Sequence, residues 1–187
     1  YLNMNFKKSD IIITSDYGHG LISKQSAKLI TKNKKFKSVN AQLNSSNLGH
    51  HTVSKYSNID ALIINEAELR FELRDKNTKL ETLILDLVKK ITSRYYIITK
   101  GITGVTLYDS KFKKFYYCPA FATKVIDKVG AGDAMLSVLS ILLKSFVDPD
   151  IALFISSIAA AESVESIGNS VYVKKNLIIK KALHILK

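Results

Sequence analysis

Three short, nearly continuous apolar runs constrain the fold more than any other feature: Asp10-Ile-Ile-Ile-Thr-Ser15, Asp60-Ala-Leu-Ile-Ile64 and Tyr95-Tyr-Ile-Ile-Thr99. All three read as strands, and the first has the pattern of a strand buried on both faces of a parallel sheet. Between them lie stretches with apolar residues three and four apart. Ser23 to Asn33 carries Ala27, Leu29 and Ile30 among Lys and Gln, and residues 79–91 carry Leu80, Leu83, Ile84, Leu87, Val88 and Ile91. That spacing lines one side of a helix. Lys37 to Gln42 adds a further strand, followed by a polar loop from Asn44 to Gly49. Val105–Asp109 and Lys114–Cys118 read as a hairpin around Ser110 to Lys113, closed off before Pro119. Asp148-Pro149-Asp150 supplies a cap, a first-turn proline and a dipole-compatible acid for a helix expected to reach about Ile167, where Gly168 would end it. Lys174 to Leu186 predicts a last amphipathic helix. The alternation predicts one α/β domain over residues 1–187, with a mostly parallel sheet and flanking helices.

Six of the eight glycines form three pairs, at 18/20, 101/104 and 130/132, each expected just after a strand. Ligands of open α/β sheets bind beyond the carboxyl ends of the strands, so the pairs point to one site built from three loops. The third pair lies in Lys124-Val-Ile-Asp-Lys-Val-Gly-Ala-Gly-Asp-Ala-Met-Leu136, which reads as strand end, glycine turn and helix start. Gly130, Ala131 and Gly132 would leave successive N–H groups at a helix N-terminus, where the macrodipole favours an anion. Asp133, in the first turn, would stand close enough to accept a proton from a hydroxyl attacking the held group. The same four residues are also consistent with a tight turn capped by an acid. Downstream, Asp133, Ser137, Ser140 and Lys144 predict one polar stripe on a mostly buried helix.

Composition narrows the class. A 47% hydrophobic content with 24% charged residues is that of a globular protein. No apolar run reaches the ~18 residues of a membrane span, and Tyr1 to Lys8 lacks a signal-peptide core, so a cytoplasmic protein is expected. The chain starts at Tyr1 without Met and reads as a fragment or a trimmed chain. Cys118 is the single cysteine, which excludes an internal disulfide and a thiolate zinc cluster. The net charge of +12 comes almost wholly from dispersed lysines without an Arg cluster, so it does not point to nucleic acid. His50 and His51 are adjacent and share no helix face, which excludes a metal pair there. There is no Walker-type loop and no Gly-x-Gly-x-x-Gly turn.

Asp127 to Asp133 resembles the Asp-Thr-x-Gly-Ala-Gly-Asp signature of the ribokinase-like (phosphofructokinase-B type) carbohydrate kinases, with Lys128 where Thr is usual. The resemblance runs from about Asp10 to Val173. Asn65-x-x-Glu68 is similar to that family's Asn-x-x-Glu motif, and Thr99-Lys-Gly-Ile-Thr-Gly104 to its Thr-x-Gly-x-x-Gly segment. Ser157 to Ala161 with Gly168-Asn169 is similar to the adenine-side segment, with Ser157 where Asn is frequent. Ser15-Asp16-Tyr-Gly-His-Gly20 is closest to the heptose-phosphate kinases of the family, with His19 in place of Lys.

The resemblance implies an ATP-dependent sugar or sugar-phosphate kinase. Asp133 would be the general base and the amides of Gly130, Ala131 and Gly132 the anion hole. Asn65 and Glu68 would organise Mg²⁺ through water. Thr99, Gly101, Gly104, Ser157 and Ala160 would face the nucleotide, and Asp16 and His19 the acceptor. ATP and Mg²⁺ are the implied cofactors, and the family admits a monovalent cation and a homo-oligomer. The family's first half, with its sugar-binding strands and lid, precedes Tyr1 or is missing, so the chain would be the C-terminal nucleotide-binding portion of a larger kinase. By themselves Asn65 and Glu68 read as a helix cap, His19 as a surface residue, and Thr99–Gly104 as an ordinary turn. A nucleotide-binding module without catalysis is the alternative function. For the acceptor, a heptose 7-phosphate is the first expectation, although Asn40-Ala-Gln42 replaces the Asp-Pro-Lys associated with those kinases and removes a positive charge.

Overall fold

The computed structural model describes residues 2–42, 53–127, 129–165 and 172–187. Helix α1 (Leu2–Lys8) precedes β1 (Ile11–Asp16), α2 (Lys24–Lys32) and β2 (Phe36–Ala41). A 3₁₀ turn at Val53–Lys55 leads to β3 (Ile59–Asn65), α3 (Glu66–Leu73), α4 (Leu80–Lys90) and β4 (Ser93–Thr99). After a second 3₁₀ turn at Gly101–Thr103 come β5 (Val105–Asp109), β6 (Lys114–Cys118), α5 (Ala131–Lys144), α6 (Pro149–Val164) and α7 (Lys175–Ile185). The six strands form one sheet in the order β1-β2-β3-β4-β5-β6, with β1, β2 and β3 parallel.

The chain divides into two compact units. The first comprises Tyr1–Ile98 and Leu107–Phe115, the second Thr99–Thr106 and Tyr116–Lys187. In the first unit Val39, Ala41, Leu62, Ile64, Tyr96 and Ile98 of the sheet pack with Ala27 of α2, Leu69 of α3 and Leu83, Ile84 and Leu87 of α4. Alternation along the strands sends these side chains to one face, and the helical spacing of α4 meets them there. The hairpin turn is set locally: Asp109 Oδ1 accepts from the amides of Lys111 (2.8 Å) and Phe112 (3.3 Å), and Lys113 adopts φ 53°.

In the second unit α5 packs on α6 and α6 on α7. Asp148 caps α6 by accepting from Asp150 N at 2.9 Å with Pro149 in the first turn, as the sequence predicts.

The structure departs from expectation in five places. Strand β1 is not buried on both faces: among the described residues it is an edge strand, and Ile13 is 37% exposed. Among the described residues, no strand leads directly into the glycine turn. Ile126 N and Asp127 N both donate to Val164 O of α6, at 2.8 and 3.2 Å, so this apolar run is spent on a helix end rather than on a ladder. Of the polar stripe on α5, Ser140 is fully buried because its hydroxyl donates to Leu136 O one turn back. Helix α6 ends at Val164, earlier than Ile167, while Gly168, Asn169, the loop from Asn44 to Gly49, His50, His51 and Lys128 lie outside the described residues. Helix α1 carries no sequence signal; Phe6 docks it against Ile12 and Ile30.

Candidate functional site

The glycine turn opens α5. Gly130 is its N-cap at φ 89°, a left-handed conformation that glycine adopts without a Cβ penalty, and as a glycine it supplies no side-chain cap. The first intrahelical bond runs from Ala134 N to Gly130 O at 2.8 Å, so the amides of Ala131 and Gly132 precede the helix's own hydrogen-bond ladder. A Cβ on Gly132 would meet nothing within 4 Å, which leaves space beside these amides. Asp133 sits in the first turn, half-buried, and its carbonyl accepts from Ser137 Oγ at 2.8 Å. The turn is anchored from upstream: Val129 N donates to Asp127 Oδ1 at 2.9 Å, and Thr123 N and Oγ1 donate to Glu165 Oε1 at 3.3 and 3.2 Å. Phe121 meets Phe154 edge-on at 5.3 Å. Lys181 of α7 then clamps Glu162 and Glu165 at 2.5 and 2.7 Å. Burial acts to raise the Glu165 carboxyl, but Lys181 and Thr123 outweigh it and hold its pKa below the ordinary value.

The second unit also brings two of the expected nucleotide-side residues to Cys118. The Thr99–Gly104 segment is a 3₁₀ turn closed by Lys100 N to Gly104 O at 2.8 Å, with Gly101 at φ 58° and Gly104 at φ 97°. Gly104 lies against the Cys118 and Pro119 backbone, while Gly101 is exposed with open space at its Cβ position. Ser157 of α6 also neighbours Cys118. Burial pushes the Cys118 thiol up, and the Ser157 hydroxyl opposes this as a neighbour, yet Ser157 Oγ makes no full hydrogen bond and is a buried, unpartnered group. Ala160 is half-buried on the same helix.

In the first unit Asn65 and Glu68 form a complete capping box on α3: Glu68 N donates to Asn65 Oδ1 at 2.8 Å and Asn65 N to Glu68 Oε2 at 2.7 Å. Glu68 is buried and Asn65 exposed. No group of three His, Cys, Asp or Glu side chains among the described residues could hold a metal. Asn65 and Glu68 are one amide and one carboxylate, hard oxygen donors of the kind that meet a hydrated dication through its waters. Asp16 is 3% exposed. Its Oδ2 accepts from Lys55 Nζ and Tyr56 Oη, both at 2.5 Å, and its Oδ1 from Gly18 N at 3.0 Å. Burial raises the Asp16 carboxyl, but these partners prevail and its pKa falls below the ordinary value; the same contact and burial push the Tyr56 hydroxyl far up. His19 is exposed between Gly18 and Gly20, which have φ 73° and 88°. Lys55 and Tyr56 were not anticipated from the sequence, since they lie about 40 positions from Asp16 without a motif between them.

Residues 3–175 match the pfkB family of carbohydrate kinases. The chain is similar to the bifunctional protein HldE of Campylobacter curvus (30% identical over 169 residues, 89% of this chain and 35% of that protein). It is also similar to HldE of Campylobacter fetus subsp. fetus (32% over 165 residues, 86% and 34%). The chain spans about a third of the length of these curated relatives. Its fold is similar to that of ribokinase from Thermotoga maritima (TM-score 0.77, 17% identity, 97% of this chain and 59% of that one). Phosphofructokinase-2 from Escherichia coli in complex with potassium is similar as well (TM-score 0.79, 15% identity, 100% and 61%). No helix among the described residues is long and apolar enough to cross a membrane.

Proposed function

The chain belongs to the pfkB family of carbohydrate kinases, and from that premise we propose that it carries the phosphoryl-transfer machinery of an ATP-dependent sugar or sugar-phosphate kinase. The observation that carries the proposal is the glycine start of α5, where left-handed Gly130 and unobstructed Gly132 leave room beside the first amides of the helix. An anion held there meets N–H dipoles and the positive end of a 14-residue helix.

In this mechanism Asp133 accepts the proton of the acceptor hydroxyl as its oxygen attacks the γ-phosphorus of ATP, and the bond to ADP breaks. The amides of Gly130, Ala131 and Gly132 hold the charge on the phosphoryl group in transit. Asn65 and Glu68, which close α3, would hold the water shell of a magnesium ion that would supply neutralisation of the phosphates. Gly101, with open space above it, together with Thr99, Gly104, Ser157 and Ala160, would receive the nucleotide. His19 and the loop carrying it would form the acceptor side, with Asp16 as its buried anchor. The resemblance of Ser15 to Gly20 to the heptose-phosphate kinases supports a heptose 7-phosphate as the first acceptor to try.

Calorimetry with Mg-ATP and a coupled ADP-release assay over phosphorylated and free sugars test the proposal. Nucleotide binding with turnover on one acceptor class is expected. Binding without turnover on any sugar would favour a nucleotide-binding module instead.

A further inference from the structure

Five residues, Tyr17 to Leu21, link β1 to Ile22 without regular structure, and two of them are glycines at positive φ. A free loop of this composition would sample many conformations. Lys55 restrains it from both ends. Its ammonium lies 2.5 Å from Asp16 Oδ2, the residue before the loop, and donates to the carbonyl of Ile22, the residue after it, at 3.1 Å. Asp16 passes the restraint inward, because its Oδ1 holds Gly18 N. The base is firm: Asp16 O accepts from Gln42 N at 2.9 Å beside β2, and the fully buried Tyr56, next to Lys55, belongs to the core. The ion pair also cancels the Asp16 charge, which would otherwise repel an anionic sugar from this loop.

Resting on the kinase reading, we propose that Lys55 is a positioning residue for the acceptor. It clasps Asp16 to Ile22, so that the Tyr17–Leu21 loop presents its amides and His19 in one shape and without a bare carboxylate to a sugar phosphate. Lys55 itself does not touch the reacting atoms.

The test uses the full-length native protein. In Lys55→Met, amide exchange across residues 17–22 should speed up about tenfold or more while exchange in α4 and α6 stays unchanged. KM for the acceptor should rise about tenfold, with kcat within about threefold and Mg-ATP affinity unchanged. The rise should be larger for a phosphorylated acceptor than for its unphosphorylated counterpart. Lys55→Arg, which keeps the charge and two donors, should recover most of both effects. If Lys55→Met folds too weakly to assay, Lys55→Gln carries the same comparison. Unchanged exchange at 17–22 in an active enzyme overturns the clasp alone, and so does a loss confined to kcat or Mg-ATP affinity. A parent that turns over no sugar overturns the kinase reading and the acceptor role with it, even where exchange responds.

Discussion

A Cβ on Gly104 would stand 2.1 Å from the carbonyl oxygen of Cys118, and 2.8 Å from two backbone atoms of Pro119. All three are backbone atoms, so nothing flexible can yield, and φ 97° with ψ −140° is a conformation almost reserved to glycine. Gly104→Ala is expected to cost about 3 kcal/mol or more by denaturant titration. Gly101→Ala, at φ 58° in open space, should cost about 1–2 kcal/mol but weaken Mg-ATP binding, because the new methyl enters the space assigned to the nucleotide. Equal losses of stability in the two variants would contradict the packing difference.

Gly132→Ala should separate stability from activity. The site is in the first turn of α5 with nothing within 4 Å of the added carbon, so helix propensity alone predicts a gain of up to about 1 kcal/mol. Turnover should fall about tenfold or more, since the methyl occupies the cradle proposed for the phosphoryl group. A variant that is as active as the parent would take Gly132 out of that cradle.

For Asp133→Asn, kcat is expected to drop by about a hundredfold or more, the usual contribution of a general base, with Mg-ATP affinity kept within several-fold. The side chain is half-buried at a helix start, and amide for carboxylate preserves its shape. Near-parental kcat in a single-turnover measurement would refute the assignment.

The capping box gives Asn65 and Glu68 a structural duty that two substitutions can separate from metal binding. Asn65→Ala removes the acceptor for Glu68 N and should cost about 1 kcal/mol. Glu68→Gln can still accept from Asn65 N, so stability should stay within about 0.5 kcal/mol while the Mg²⁺ concentration for half-maximal activity rises. Should the magnesium dependence match the parent, Glu68 is a cap only.

Asp16 predicts an acid limit to stability. Despite burial, Lys55, Tyr56 and Gly18 lower its pKa in the folded state below the ordinary 3.8. A carboxylate of this kind contributes stability that is present above its unfolded pKa and is lost as pH falls through the folded value. At neutral pH Asp16→Asn should cost about 3 kcal/mol, because Lys55 is left without its counter-ion. The gap between parent and variant should close below about pH 4, as Asp16 itself becomes neutral. A gap of constant size from pH 7 into acid would exclude Asp16 from the acid transition.

What the sequence determined by itself is local. The hairpin strands Val105–Asp109 and Lys114–Cys118 have the bounds their alternation predicts, and α4 and the Asp148 cap stand where spacing and cap chemistry put them. The local geometry of these segments was legible for the same reason: the turn glycines at positive φ and the Asn65–Glu68 cap are set by neighbours within four residues. Tertiary structure decided the rest. The apolar run before Gly130 could have been a strand, but its amides found Val164 O about 40 positions away. Asp16 could have faced solvent, but Lys55 and Tyr56 claimed it across a similar distance. Periodicity and capping are encoded by adjacent residues, whereas the partner of a backbone amide or a buried carboxylate is chosen by whatever the completed fold places beside it, and burial makes that choice strongly unfavourable to undo.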